Sequence, residues 1–244
     1  MTMNGLIPGT YNSRDLGGAP ADGGSVRRGA IIRSDAPLHL GAPGRAALRA
    51  LEIRSAIDLR EQVERDLDPA DLDGLGLEQH HCPILGADFE LAREMSLAEI
   101  YRDLLDRRGG PVTGAVRLLA NPGTLPAIVF CSAGKDRTGL VSALTLAAAG
   151  VSDHEIVADY AATERNMRGA FREALARRAH SAGLSEQEMA VKVGSPAALM
   201  RETLRWLRER HGGVREFLVA HGMTEAELDA LRQALIVPRA AQAA

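Results

Sequence analysis

Val129-Phe130-Cys131-Ser132-Ala133-Gly134-Lys135-Asp136-Arg137-Thr138-Gly139 is the stretch that decides how this chain reads. Residues 126–131 form a short apolar run of the kind that makes a central strand, and 139–149 read as a helix stopped by Gly150. A strand that passes through a Gly-containing turn into a helix is where a parallel sheet presents its ligand site. Cys131 is thereby expected under a helix N-terminus with Lys135 and Arg137 nearby. All three features favour the thiolate, the nucleophilic form. Successive backbone N–H groups in such a turn converge on an anion, and Arg137 adds a planar fork for two phosphoryl oxygens. The small residues Ser132, Ala133 and Gly134 let a ligand approach the backbone closely. A Walker A loop is excluded, because Val129 stands where that motif needs Gly and Asp136 where it needs Ser or Thr.

Working outward, 30–33 and 55–59 are β-type runs, with apolar residues at helical spacing over 43–51 between them. Strand, helix, strand in that order predicts a parallel sheet. Residues 77–85 form another extended candidate, while 91–105 and 112–120 read as two helices, the second starting after Pro111. Beyond Ser152 the texture is helical: 153–180, 184–192, 196–211, 213–221 and 224–236, with Thr224 and Glu227 spaced as a capping box. The expected architecture is α/β, a central mostly parallel sheet flanked by helices, with a helical C-terminal half. It reads as a single domain over 1–238, with 152–192 a candidate helical lid, 193–238 the C-terminal helices and 239–244 a disordered tail.

The composition bounds the chemistry. A chain of 244 residues with 45% hydrophobic content buries a core without disulfides or structural metal. Two cysteines, Cys82 and Cys131, exclude a disulfide scaffold and a thiolate-built zinc site. With 29 basic against 32 acidic residues the net charge is −3, so no bulk field holds the protein on nucleic acid or an anionic membrane. Phosphate recognition must therefore be local. Residues 1–12 lack the pattern of a signal peptide, and the longest apolar stretch, 140–151, is interrupted by Ser142 and Thr145 and too short to span a bilayer. A cytoplasmic protein with no nucleic-acid partner and no stable membrane insertion is expected.

Cys-x5-Arg-Thr with an internal Gly-Lys-Asp resembles the signature of cysteine-dependent protein tyrosine phosphatases. It is closest to the bacterial branch, of dual or triple specificity, whose loop reads Cys-x-x-Gly-Lys-Asp-Arg-Thr-Gly. Asn12-Ser13-Arg14-Asp15-Leu16-Gly17-Gly18, Ile32-Arg33-Ser34 and Ile57-Asp58-Leu59-Arg60 match that branch in order and spacing. The resemblance implies a phosphatase that hydrolyses phosphate monoesters through a cysteinyl-phosphate intermediate, with Cys131 as nucleophile. Arg137 and the amides of Ser132, Ala133, Gly134, Lys135, Asp136 and Arg137 would hold the phosphoryl oxygens, and Thr138 would hydrogen-bond the sulfur. Lys135 would add positive charge at the rim, which in this branch accompanies varied substrates. The substrate would be a phosphorylated protein or a phosphoinositide, with no metal and no other cofactor.

A general acid must protonate the leaving oxygen. Asp136 is the first candidate by the same resemblance, Asp88 the second, and Asp58 the third; Asp58 alternatively pairs with Arg137 or Arg60 to shape the loop. Phe130 departs from the family, which mostly carries histidine before the nucleophile, and predicts a less readily ionised thiol and slower turnover near neutral pH. His80-His81-Cys82 cannot chelate one ion, since adjacent strand residues point to opposite faces. Cys82 is also a candidate partner for Cys131 in a protective disulfide. The Arg-rich stretch Arg165, Arg168, Arg172, Arg177 and Arg178 suits a lid or a solvated helix face, and Trp206 reads as core packing. Two other classes stay open: a phosphate-recognition module that turns over negligibly, and more distantly a cysteine-based sulfurtransferase or arsenate reductase.

Overall fold

The computed structural model of the chain describes residues 5–86, 95–166, 169, 173 and 194–239. In chain order its strands are β1 (Arg14–Asp15), β2 (Pro20–Ala21), β3 (Gly24–Val26), β4 (Ile31–Asp35), β5 (Ser55–Asp58), β6 (Glu78–His81), β7 (Ala127–Cys131) and β8 (Ile236–Pro238). The helices are α1 (Gly41–Ala50), α2 (Gln62–Leu67), α3 (Leu97–Ala120), α4 (Asp136–Ala148), α5 (Asp153–Asn166), α6 (Ala197–His211), α7 (Val214–Ala220) and α8 (Glu225–Leu235).

The main sheet has the order β1-β4-β7-β5-β6, parallel throughout except for β1. This is the α/β class with a mostly parallel sheet flanked by helices. The expected β4–α1–β5 unit is present, but its two strands are not neighbours, because β7 is inserted between them. The reason lies in composition. Ala-Ile-Val-Phe-Cys is apolar on both faces, and only a central position buries both. Side chains alternate across the strand. Ile128 and Phe130 pack with Leu48 and Ile53 on the α1 side, whereas Ala127, Val129 and Cys131 join the larger core built by α3 and α4.

Several expectations shift. The extended candidate over 77–85 is only the four-residue β6 at the sheet edge. The two helices expected around Pro111 are one 24-residue run, α3, kinked at Arg108 (φ −120°, ψ 19°). Proline removes one helical hydrogen bond and crowds the carbonyl four residues back, which bends a helix without ending it when packing holds both halves. A second sheet, β2-β3-β8, is antiparallel, and it takes over Ile236, which the periodicity placed in a helix. Thr224 does cap α8, its hydroxyl accepting from the Glu227 N–H at 3.2 Å. The helix expected over 184–192, Asp88, and four arginines of the Arg-rich stretch (Arg168, Arg172, Arg177 and Arg178) lie outside the described residues. No helix among the described residues is long and apolar enough to cross a membrane.

Candidate active site

β7 delivers Cys131 to the carboxyl edge of the sheet between β4 and β5, in register with Asp35. The chain turns through 132–135 and enters α4 at Asp136, so the sulfur lies beneath that helix's N-terminus. Every turn carbonyl is drawn away from the centre. The Ala36 N–H donates to Ser132 O at 3.3 Å, and Asn12 Nδ2 donates to Ala133 O at 3.1 Å and Gly134 O at 2.9 Å. Arg33 adds a second donor to Gly134 O at 2.8 Å, and the Gly139 N–H takes Lys135 O at 2.8 Å. The N–H groups of Ser132, Ala133 and Gly134 are left with no acceptor among the described residues. An amide nest of this kind binds an anion. Gly134 is required on two counts. Its φ is +63°, and a Cβ there would lie 2.4 Å from Ser34 O.

The donors are themselves fixed. Arg33 and Arg14 grip Asp159 of α5, at 2.5 Å and 2.7 Å, and Arg14 also donates to Asn12 Oδ1 at 2.6 Å. Burial would raise the Asp159 carboxyl, but Arg33 and Arg14 hold it below its ordinary value. Asp35 accepts from the Asn12 N–H at 2.8 Å and the Tyr11 N–H at 3.1 Å. Burial nevertheless pushes its carboxyl up to about 6.

Arg137, the second residue of α4, meets a partner that the sequence reading did not find. Its two terminal nitrogens donate to Glu64 Oε2 at 2.5 Å and Oε1 at 2.8 Å, and the Ser132 hydroxyl donates to the same carboxylate. Burial alone would raise the Glu64 carboxyl, yet Arg137 and Ser132 hold it down at about 2. Arg137 responds in kind, since burial disfavours its charge but Glu64 and the Cys131 sulfur raise its pKa above the ordinary value. Glu64 is the third residue of α2, in a capping box with Glu61. That local signal, Glu at 61 and 64, marks a helix start and says nothing about Arg137, which is 73 residues away.

Of the three acid candidates, Asp136 opens α4 beside the turn, its Oδ1 accepting from the Tyr101 hydroxyl at 2.7 Å and lying 3.3 Å from Lys135 Nζ. Asp58 is engaged by Arg60 through Nε (2.9 Å) and NH2 (2.7 Å), and that guanidinium stacks 5.4 Å from the centre of the Phe130 ring. Asp58 and Arg60 thus form a pair on the α1 side of the sheet. Lys135 is buried, not at the rim, and its Nζ donates to Gly194 O at 2.9 Å. Thr138 is buried, its hydroxyl without a hydrogen bond among the described residues. The expected Cys82–Cys131 proximity fails on topology. Cys82 follows β6, and β5 separates β6 from β7, so the two thiols are two strand spacings apart, about 10 Å. A disulfide needs Cα atoms within about 7 Å. His81 Nε2 contacts Arg60 O at 2.9 Å while His80 faces Glu78, so the two rings serve different neighbours.

A parallel sheet whose central strand ends in Cys131 thus carries, at its carboxyl edge, the amides of 132–134, without acceptors among the described residues, and a carboxylate-clamped arginine, and these make up the candidate site. Residues 6–237 match the sequence profile of the tyrosine phosphatase family, and the chain belongs to that family. A protein of Cupriavidus necator named as a tyrosine-protein phosphatase is 29% identical over 221 residues, covering 85% of this chain and 80% of that protein. A tyrosine-protein phosphatase of Nostoc commune is 29% identical over 215 residues, 83% of this chain and 73% of its own length. The triple specificity protein phosphatase PtpB of Mycobacterium tuberculosis is 31% identical over 187 residues, 63% of this chain and 67% of that protein.

Proposed function

We propose that this phosphatase hydrolyses phosphate monoesters through a cysteinyl-phosphate intermediate, with phosphotyrosine as the primary substrate. The outward-turned carbonyls of the 132–135 turn, which leave inward N–H groups above Cys131, are the observation that carries the reading. The Cys131 thiolate attacks phosphorus, the S–P bond forms and the P–O bond breaks, and the departing phenolate takes the proton of Asp136. Arg137 and the amides hold the three equatorial oxygens as charge redistributes. In the second step Asp136 accepts a proton from water, whose oxygen attacks phosphorus. The S–P bond then breaks, inorganic phosphate leaves, and the Thr138 hydroxyl donates to the returning thiolate. Similarity to a protein named as a triple specificity phosphatase supports a range wider than phosphotyrosine alone, and phosphoserine, phosphothreonine and phosphoinositide are the further substrates of this proposal.

Hydrolysis of para-nitrophenyl phosphate in EDTA, compared between wild type and Cys131→Ser, tests this reading. Turnover that withstands EDTA, falls with vanadate and vanishes in the serine variant is expected. Wild type that binds vanadate but does not turn over would instead make the chain a phosphate-recognition module.

A further inference from the structure

Asp136 is only half-buried, yet one of its oxygens is fixed from the interior. Tyr101, fully buried on α3, donates its hydroxyl proton to Asp136 Oδ1 at 2.7 Å. With that proton committed, the 2.7 Å contact between the Tyr101 and Tyr160 hydroxyls leaves Tyr160 of α5 as donor and Tyr101 as acceptor. The two rings meet edge-on, 6.2 Å apart at 86°. Gly139 on α4 permits this, since a Cβ there would press within 3.0 Å of the Tyr160 ring. The result is a directed chain, Tyr160 to Tyr101 to Asp136, reaching from two helices into the first residue of a third. Burial and the Asp136 charge push the Tyr101 hydroxyl well above its ordinary pKa, so it remains a donor. Lys135 Nζ approaches the same oxygen, at 3.3 Å. Oδ2 carries no hydrogen bond among the described residues.

We infer that Tyr101 is the positioning residue for the general acid, holding Asp136 Oδ1 so that Oδ2 is the atom that carries the proton to the leaving oxygen. This rests on the reading of Asp136 as the acid. A carboxyl free to rotate spends part of its time with neither oxygen in reach, and misplacing a proton donor by a fraction of an ångström lowers only the step that uses it. The chain of hydroxyls also keeps Tyr160 satisfied in the core. Its role is therefore to buttress Tyr101 and not to touch the reacting atoms.

The test is kcat/KM across aryl phosphates of graded leaving ability, from dinitrophenyl phosphate, which departs unaided, to phenyl phosphate, which does not. Asp136→Asn is expected to lose roughly a hundredfold or more with phenyl phosphate and little with dinitrophenyl phosphate. Tyr101→Phe is expected to show the same slope at about a tenth of that size, with vanadate inhibition unchanged. Adding Tyr101→Phe to Asp136→Asn is expected to cost nothing more, because the tyrosine acts through the acid. An equal loss of Tyr101→Phe across all leaving groups, while Asp136→Asn keeps its steep slope, would overturn the inference and leave the acid reading intact. A flat slope for Asp136→Asn would overturn both. If Tyr101→Phe does not fold, Tyr160→Phe carries the test with a smaller loss of the same leaving-group dependence, and a uniform loss there counts against the inference.

Discussion

Arginine meets a carboxylate bidentately at two places near the end of β5, and the two pairs do different work. Asp58 and Arg60 lie two residues apart on one strand end, closed off on the α1 side, with the guanidinium laid on Phe130. Glu64 and Arg137 lie 73 residues apart in sequence and meet beside the turn that follows Cys131, where the Arg137 side chain is 10% exposed. Both pairs have the geometry that makes arginine hard to replace. The first is completed from its own stretch of chain, Arg65 Nε lying 3.4 Å from Asp58 and Arg60 donating to the Asp68 carbonyl at 2.7 Å, so its contribution is to stability. The second holds a cation, itself partly neutralised, beside the amides of 132–134, a combination that favours negative charge.

Breaking the inner pair gives the largest effect. Asp58→Ala strands a buried guanidinium, and a loss of about 3 kcal/mol or more in unfolding free energy is expected, measured by urea titration. kcat/KM should stay within about twofold of wild type when assayed well below the transition. A variant as stable as wild type but inactive would reverse the assignment of the two pairs. Glu64→Gln comes next. The amide keeps one acceptor for Arg137 and removes the charge, so kcat/KM is expected to fall roughly tenfold to a hundredfold, with a stability loss of about 2 kcal/mol at neutral pH, smaller than that of Asp58→Ala. Steady-state kinetics beside a thermal melt separate the two quantities.

The smallest effect sharpens the comparison through pH. The Glu64 carboxyl is held at about 2, below its unfolded value of about 4.3. The unfolded state therefore binds the proton first, and the stabilisation from Glu64 is complete above about pH 4.3 and is lost as pH falls toward 2. Asp35 runs the other way. Its carboxyl sits at about 6 in the fold, so the native state holds a proton that the unfolded chain has shed, and stability falls as pH rises from about 4 to about 6. Melting temperature against pH should show both slopes in wild type, and Glu64→Gln should flatten only the acid one.

What the sequence disclosed and what it hid divide along the same lines as the two pairs. The turn after Cys131, the central strand and the cap at Thr224 are written in contiguous residues, where propensity, spacing and small side chains act over a few positions. Asp58 and Arg60 were also near enough in sequence to be read as a pair. Glu64 and Tyr101 were not, because their partners at 137 and 136 are 73 and 35 residues away and a glutamate or tyrosine on a helix carries no local mark of what it will touch. Lys135 illustrates the converse. The family resemblance implied a cation at the rim, whereas the Gly194 carbonyl holds it in the interior. The insertion of β7 between β4 and β5 followed from composition only in hindsight, since a parallel sheet with β4 and β5 adjacent satisfies the same pattern.

The grip of Asn12 on the turn carbonyls has a consequence for how the protein comes into being. Those contacts close loops of 121 and 122 residues. Long closures cost chain entropy before they return any contact, and they belong to the slow part of folding. During synthesis residue 12 leaves the ribosome long before residue 134, and until the two meet the Ala133 carbonyl has no donor among the described residues and the Gly134 carbonyl has Arg33 alone. A newborn chain therefore carries its thiol for a time beside a turn that is only partly braced, and the turn is fully fixed only when residue 12 has reached it.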